Sequence, residues 1–450
     1  MSKIKTGFGR LCITPPLGTP ISGYYEERYT KGVLDDLFVS AVAFDDGNVK
    51  SVVLAVDTLM LSTVQCNAYR KIIADFCDLP MDAIFITCSH THTGPLVGKD
   101  FASDIKGSEL YDEYIGIQMR DAAKLALEDV CDSTFYTAEG VAKKISFIRR
   151  FRMKDGSVQT NPRVGNPDID HALGEPNETV KLLKIERDDA EDIYIVNFGV
   201  HPDVVGDEYI SADYIGFVCS TIENAIPNSK CMFLLAPQGD VNHINPHPTK
   251  GDMNGLHPTF DGCPRGYEHA MHMGRVIAGS VLQICDKAEK IYADEIKFSS
   301  KTVVCPSNQE NDKLEEARRI VKIHEEGRDA ELPYKAMELT TVVAEATRIV
   351  DLENGPESYS FTLSAIKIGD MAFAGIPGEP FTEIANRIYA DSPFATTILC
   401  CLTNGGDSYF PTSQAYEEGG YEARTSKLKK GADNIVVEGT VELLGEVKAM

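Results

Sequence analysis

Ala83-Ile84-Phe85-Ile86-Thr87-Cys88-Ser89-His90-Thr91-His92-Thr93-Gly94-Pro95 is an apolar run that ends abruptly in hydroxyls and imidazoles. A short run without polar alternation reads as a strand buried on both faces. In an extended chain residues i and i+2 face the same side, so His90 and His92 project together. Open α/β sheets bind their ligands outside the carboxyl ends of the strands. Imidazole is the commonest protein ligand for a metal. Two histidines hydrogen-bonded within a turn are the plainer alternative.

The same pattern recurs along the chain. Ser51–Asp57, Ile193–Val200, Met232–Ala236, Met371–Ile376 and Thr397–Leu402 read as further buried strands. Helical spacing of apolar residues falls near Val64–Phe76, Tyr114–Val130, Tyr214–Ala225, His269–Ile284, Asn311–Glu326, Lys335–Leu352 and Phe381–Asp391. This alternation predicts an α/β fold with a mixed β-sheet core flanked by helices. No Pro/Gly/Ser linker divides the chain, so one domain over residues 1–450 is expected. The charged segment 312–350 is expected to be a solvated helical hairpin inserted into it.

Composition narrows the function. Lys and Arg number 44 and Asp and Glu 68, so the net charge is 44 − 68 = −24. A phosphate backbone or an anionic lipid surface needs a basic face, so neither nucleic acid nor membrane docking is expected. No run of about 18 apolar residues marks a membrane span. Met1-Ser2-Lys3-Ile4-Lys5 opens no secretory signal, and the 12 cysteines include no Cys-x-x-Cys pair. The expectation is a cytoplasmic protein with mostly buried, reduced thiols, acting on a small molecule. A homo-oligomer is compatible with all of this.

Other strand ends also carry polar groups. Asn197-Phe198-Gly199-Val200-His201-Pro202 presents His201. Gly375-Ile376-Pro377-Gly378-Glu379-Pro380-Phe381 presents Glu379, which by itself could equally offset a helix dipole. Asn404-Gly405-Gly406-Asp407-Ser408-Tyr409 presents Tyr409. Pro237-Gln238-Gly239-Asp240-Val241-Asn242-His243 closes a fifth strand. Arg149-Arg150 precedes a long polar loop, and paired arginines near a site usually meet an anion or a carbonyl. No phosphate loop, dinucleotide fingerprint, nucleophile elbow or His-Glu-x-x-His competes. Five polar strand ends on one carboxyl edge define a single candidate site.

Taken in order, these segments resemble the amino-terminal catalytic domain of neutral, non-lysosomal ceramidases. Thr91-flanked His90-Thr-His92 is similar to that family's Thr-His-Thr-His-Ser-Gly-Pro, and His201-Pro202 to its Ala-x-His-Pro. Gly378-Glu379 matches its Pro-Gly-Glu-Phe, with Pro380 inserted before Phe381. Tyr409 falls in its Tyr-Thr-His-Tyr segment. The resemblance implies one zinc ion held by His90, His201, Glu379 and Tyr409. It also implies a carbonyl-holding tyrosine at Tyr421, with Tyr416 beside the substrate, and an arginine at the oxyanion, Arg149, with Arg150 next to it. His92 is then the candidate for proton transfer. Asp240 or Asp57 is expected to orient a histidine.

The departures bear on the substrate. Where ceramidases carry Gly-Asp-Val-Ser-Pro-Asn, this chain reads Gly239-Asp240-Val241-Asn242-His243, so Asn242 takes the serine's place in the catalytic set. The similarity runs from Ile13 to Arg424, and the carboxyl-terminal β-sandwich of ceramidases is expected to be absent. His243, His247 and His257 make the site loop look wet, with His243 assigned to substrate. The expected activity is therefore zinc-dependent hydrolysis of an amide bond in a small polar substrate. An esterase or lactonase acting on sugar derivatives, or a binding protein without turnover, are the alternatives.

Overall fold

Twelve principal strands build two sheets that lie face to face. The computed structural model describes residues 4–24, 26–98, 108–259, 262–309 and 312–450. The larger sheet contains β1 (Lys5–Cys12), β2 (Phe38–Asp45), β3 (Lys50–Val56), β4 (Ile84–Cys88), β5 (Cys131–Val141), β6 (Thr179–Arg187), β7 (Asp192–Phe198) and β8 (Ser229–Leu235). Its order is β8-β7-β6-β5-β1-β2-β3-β4, and Glu289–Lys290 adds a short strand on β5. The smaller sheet runs β9 (Ile296–Pro306), β10 (Ser358–Ile368), β11 (Met371–Gly375), β12 (Thr396–Cys400).

Pleating decides which layer each side chain joins. In β7, Ile193 and Ile195 face the smaller sheet, whereas Tyr194, Val196 and Phe198 face the helices. Between the sheets, Phe44, Phe85, Phe135 and Phe373 form an aromatic layer; Phe373 lies 5.8 Å from Phe44 and 6.4 Å from Phe85, centroid to centroid. The outer face of the larger sheet is covered by α1 (Thr63–Cys77), α2 (Ser108–Glu128), α3 (Asp213–Ala225) and α4 (Tyr267–Ile284). α7 (Thr382–Asp391) and α10 (Ala432–Ala449) cover the smaller sheet. The order is helix, sheet, sheet, helix. The expectation of a mixed sheet with flanking helices holds, but there are two stacked sheets where one was expected.

Among the twelve principal strands three pairs are parallel: β3/β4, β7/β8 and β11/β12. Each is joined by a crossover helix, α1, α3 and α7 respectively. Their carboxyl ends point into one region. There the chain after β12 joins both edges of the larger sheet. Cys88 N donates to Leu402 O (3.3 Å), Asn404 N to Ile86 O (2.8 Å) and Cys401 N to Leu235 O (3.1 Å).

The hairpin is α5 (Leu314–Glu325) and α6 (Ala336–Leu352); residue 311, where its first helix was expected to begin, lies outside the described residues. The arginines of α5 pair with exposed carboxylates at Glu315 and Glu316. α6 is anchored inward. Arg424 grips Glu345 (2.6 Å) and Glu338 (3.1 Å), and Arg348 Nε donates to Arg424 O. Among the described residues no helix is long and apolar enough to cross a membrane.

The aromatic layer predicts that Phe373→Ala costs about 3–5 kcal/mol, since a large buried ring leaves a cavity shared by both sheets. Denaturant unfolding followed by circular dichroism measures it. A loss under about 1 kcal/mol would mean that the sheets do not depend on each other's packing.

Candidate functional site

His90, His92 and His201 meet where β4 and β7 end. Their ligand-capable nitrogens all lie within 4.8 Å of one another. All three are buried, His90 and His201 to 1% exposure. The strand-edge geometry needed one adjustment. His90 sits at φ +66°, a left-handed turn that redirects its ring, so the His-x-His is not a simple extended pair.

The hydrogen bonds fix both tautomers. His90 Nδ1 lies 2.8 Å from Leu59 O. A carbonyl can only accept, so Nδ1 carries the proton and Nε2 is bare. His201 Nδ1 bonds Gln238 Oε1. Gln238 Nε2 donates to Glu379 Oε2 (3.3 Å), which fixes the amide's orientation because a carboxylate accepts only. His201 Nε2 is therefore bare as well. The two bare nitrogens stand 3.2 Å apart. Glu379 Oε2 is 3.2 Å from His90 Nε2 and 3.9 Å from His201 Nε2.

Burial, and then the neighbouring His90, push the His92 pKa well below the imidazole range. Burial followed by the charge of Arg149 does the same at His201. At Glu379 burial opposes ionisation, yet His90 and Arg149 outweigh it and hold the carboxyl below its usual range. Both ring nitrogens of His92 are buried and have no hydrogen-bond partner among the described residues. A buried polar atom left unpaired costs about 1–3 kcal/mol. Gly23 lets the chain pass over it: a Cβ there would stand 2.8 Å from His92 Cα. Tyr24 lies on the ring at 5.2 Å, and Arg28 Nη2 donates to His92 O.

Glu379 and Tyr409 are neighbours because their short strands pair in parallel. Gly239 approaches them so closely that a Cβ would lie 2.6 Å from Glu379 O. The Tyr409 hydroxyl accepts from Arg149 Nη2 (3.3 Å), and that guanidinium also donates to Gly239 O (2.8 Å) and, through Nε, to Glu422 Oε1 (2.6 Å). Arg149 Nη1 bonds none of the described residues. Tyr421 stands against Tyr409 with centroids 6.0 Å apart. His90, His92, His201, Glu379, Tyr409, Arg149 and Tyr421 are thus brought together.

Other expected residues are engaged elsewhere. Asp240 caps α7, accepting from Thr382 N (2.7 Å) and Oγ1 (2.9 Å), and touches no histidine ring. Asp57 accepts from Phe38 N. The group that orients His201 is Gln238, and Leu59 O orients His90. Asn242 uses both ends of its amide, donating to Asn161 and accepting from Ile244 N. Arg150 holds Glu418 and Gly419 O, and the Tyr416 hydroxyl bonds Ser426 Oγ (2.9 Å). His243 is locked between Asp203 and Pro264 O, while His247 and His257 are exposed. The three imidazoles that were expected to wet one site do not share one. The position of Gln238 at a strand end was readable; its role needed the coordinates.

No family model matches the chain, and no curated protein matches its sequence. Solved structures do. It superimposes on the crystal structure of neutral ceramidase from Pseudomonas aeruginosa with a TM-score of 0.73 at 15% identity, covering 99% of this chain and 75% of that one. A ceramidase complexed with C2 matches with a TM-score of 0.72 at 14% identity, covering 100% and 76%. The fold is that of the neutral ceramidases. The ceramidase-like fold therefore extends over the whole of this chain, hairpin included.

Replacing Gln238 by Met keeps the volume but removes both hydrogen bonds. If the cluster takes a divalent metal ion, the variant is expected to hold it about 10–100-fold more weakly than the parent, without loss of fold. Competition with a chromogenic chelator measures this; unchanged affinity would show that Gln238 does not orient His201.

Proposed function

We propose that this protein is a metal-dependent hydrolase that cleaves an amide bond of a small polar substrate, with zinc as the metal. The observation that supports it most is the convergence of His90 Nε2, His201 Nε2 and Glu379 Oε2. Three lone-pair atoms without a proton between them repel unless a cation sits among them. Nitrogen ligands about 2.0–2.1 Å from zinc in a tetrahedral array lie roughly 3.3 Å apart, and the two imidazole nitrogens are 3.2 Å apart. The mixed N/O donor set suits zinc. His90, His201 and Glu379 would hold the ion. Tyr409 and His92 are the residues next to them, and the unpaired His92 could serve as ligand or as base.

A divalent cation there would supply Lewis acidity, polarising a carbonyl and making water acidic enough to react near neutral pH. The chain's own residues do the rest. His92 is kept neutral by burial, so one of its nitrogens can take a proton from the attacking water and return it to the leaving nitrogen. Arg149 stays charged because Glu422, Tyr409 and Glu379 together outweigh its burial, and its Nη1 is available to a developing oxyanion. Tyr421, whose ring stands against Tyr409, would be the second donor. Both donors rest on a fixed frame: Glu422 is bonded by Arg149 and by Thr160 Oγ1 (3.1 Å), and the following Arg424 is clamped by α6.

A polar substrate is favoured by what surrounds the cluster. Arg28 and Arg265 flank Tyr24 over His92, at 4.4 and 5.5 Å from its ring, and Arg149 lies over Tyr409 at 5.7 Å. Long acyl chains have little to gain from guanidinium groups on both sides.

Metal analysis of the purified protein, with a panel of N-acyl amino acids, acylated amino sugars, esters, lactones and ceramide, tests the proposal. One zinc per chain and amide turnover that chelation abolishes and zinc restores are expected. His90→Ala and His201→Ala should lose both metal and turnover. No metal and no turnover on any substrate would reject the proposal, and ceramide as the best substrate would reject the polar specificity. Tyr421→Phe is expected to keep the metal and lower kcat about 100–1000-fold; an unchanged kcat would remove Tyr421 from the oxyanion site.

A further inference from the structure

A second cavity, of about 380 Å³, opens between α3, α4 and the strand edge formed by β2, β3 and β8. It shares no residue with the histidine cluster. Its walls are aromatic: Phe38, Phe217, Phe233 and Tyr267, with the Phe217 and Tyr267 rings 4.9 Å apart. Its size falls within the usual range for small-molecule pockets.

The charge lining it is unbalanced. Arg10 is the one cation of the lining, and it is already spent: Nη1 donates to Glu223 Oε1 (2.9 Å) and Nη2 to Cys231 O. Asp35, Asp36 and Asp57 remain, and among the described residues none of them makes an ion pair. Asp36 is exposed and accepts from Thr14. Asp35 has both oxygens occupied, by Ser211 Oγ (2.6 Å) and Ala212 N (2.7 Å). Asp57 has Oδ2 on Phe38 N (2.9 Å). Burial pushes the Asp57 carboxyl up to about 6; Asp35 adds to the rise, and Arg10, already paired with Glu223, offsets it only in part.

We infer that this cavity binds a compact organic cation, an ammonium group seated against the aromatic walls with Asp57 and Asp35 as its counter-charges. A carboxylate-lined pocket with aromatic faces stabilises a positive charge twice, through the ion pair and through the ring quadrupoles. A metal ion is a poor fit, since the carboxylates do not converge as the histidines do. An anion would meet three uncompensated carboxylates.

The test uses choline as the probe and its neutral isostere, 3,3-dimethylbutan-1-ol, titrated into the full chain at constant ionic strength and followed by calorimetry. Choline should bind saturably in the millimolar range or tighter, and the isostere about tenfold more weakly or worse. Asp57→Asn keeps an acceptor for Phe38 N, so it should fold while losing about tenfold in choline affinity. Phe217→Ala, on the half-buried wall, should weaken it as well. No saturable choline binding, equal binding of the isostere, equal competition by sodium, or full affinity in both variants would each overturn the inference. None of these readouts depends on hydrolysis.

Discussion

Two imidazole nitrogens facing each other at 3.2 Å, both stripped of their protons by what their far sides donate to, are the constraint around which this fold is arranged. Leu59 O and Gln238 Oε1 each demand a proton from Nδ1. Burial then makes a second proton on the His201 ring expensive. Such an arrangement is unfavourable as an isolated object and has to be imposed. The imposition comes from strand ends on two sheets, tied together by backbone bonds from the segment after β12 and by the close passage of Gly239 over Glu379. The aromatic layer between the sheets is therefore part of the site's assembly: it sets where Glu379 stands relative to His90.

The parts of the fold that could be read in advance follow a physical rule. The six strands recognised from sequence are the six members of the three parallel pairs. Parallel strands under crossover helices are apolar on both faces, and their runs are conspicuous. β1, β5, β6, β9 and β10 pair antiparallel and carry polar residues such as Lys297, Ser299 and Lys301 of β9 on alternate positions, so no run forms. β2 has Ser40 near its start and Asp45 at its end, which shortens its apolar run to four residues. α10 escaped for a different reason. Gly439 and Gly445 interrupt its helical signal, and Gly439 is needed because a Cβ there would press on Val303, 2.6 Å away.

The site was legible to the same extent, because its residues hang on those legible strands. The histidine, glutamate, tyrosine and arginine side chains lie close together. What could not be read was the direction in which supporting groups point. Asp240 follows a strand end as the ligands do, yet it turns to cap α7. His243 lies one residue beyond Asn242, yet it turns to Asp203. Gln238 looks unremarkable in the sequence and holds two of the converging residues at once. Adjacency along the chain fixes where a side chain starts, and the hydrogen-bond partners waiting on either side settle where it goes. The ceramidase-like fold, shared at only 15% identity, is consistent with this division. The frame tolerates wide change, while the groups that fill it are particular.

His90 adds one more turn to this picture. Its backbone sits in a conformation that costs a side-chain-bearing residue about 1 kcal/mol and costs glycine almost nothing. Selection for endurance alone would therefore favour glycine at position 90, and every generation that keeps an imidazole there forgoes that relaxation. Heat-hardening of this chain by random mutagenesis would be drawn toward a member of its buried histidine cluster.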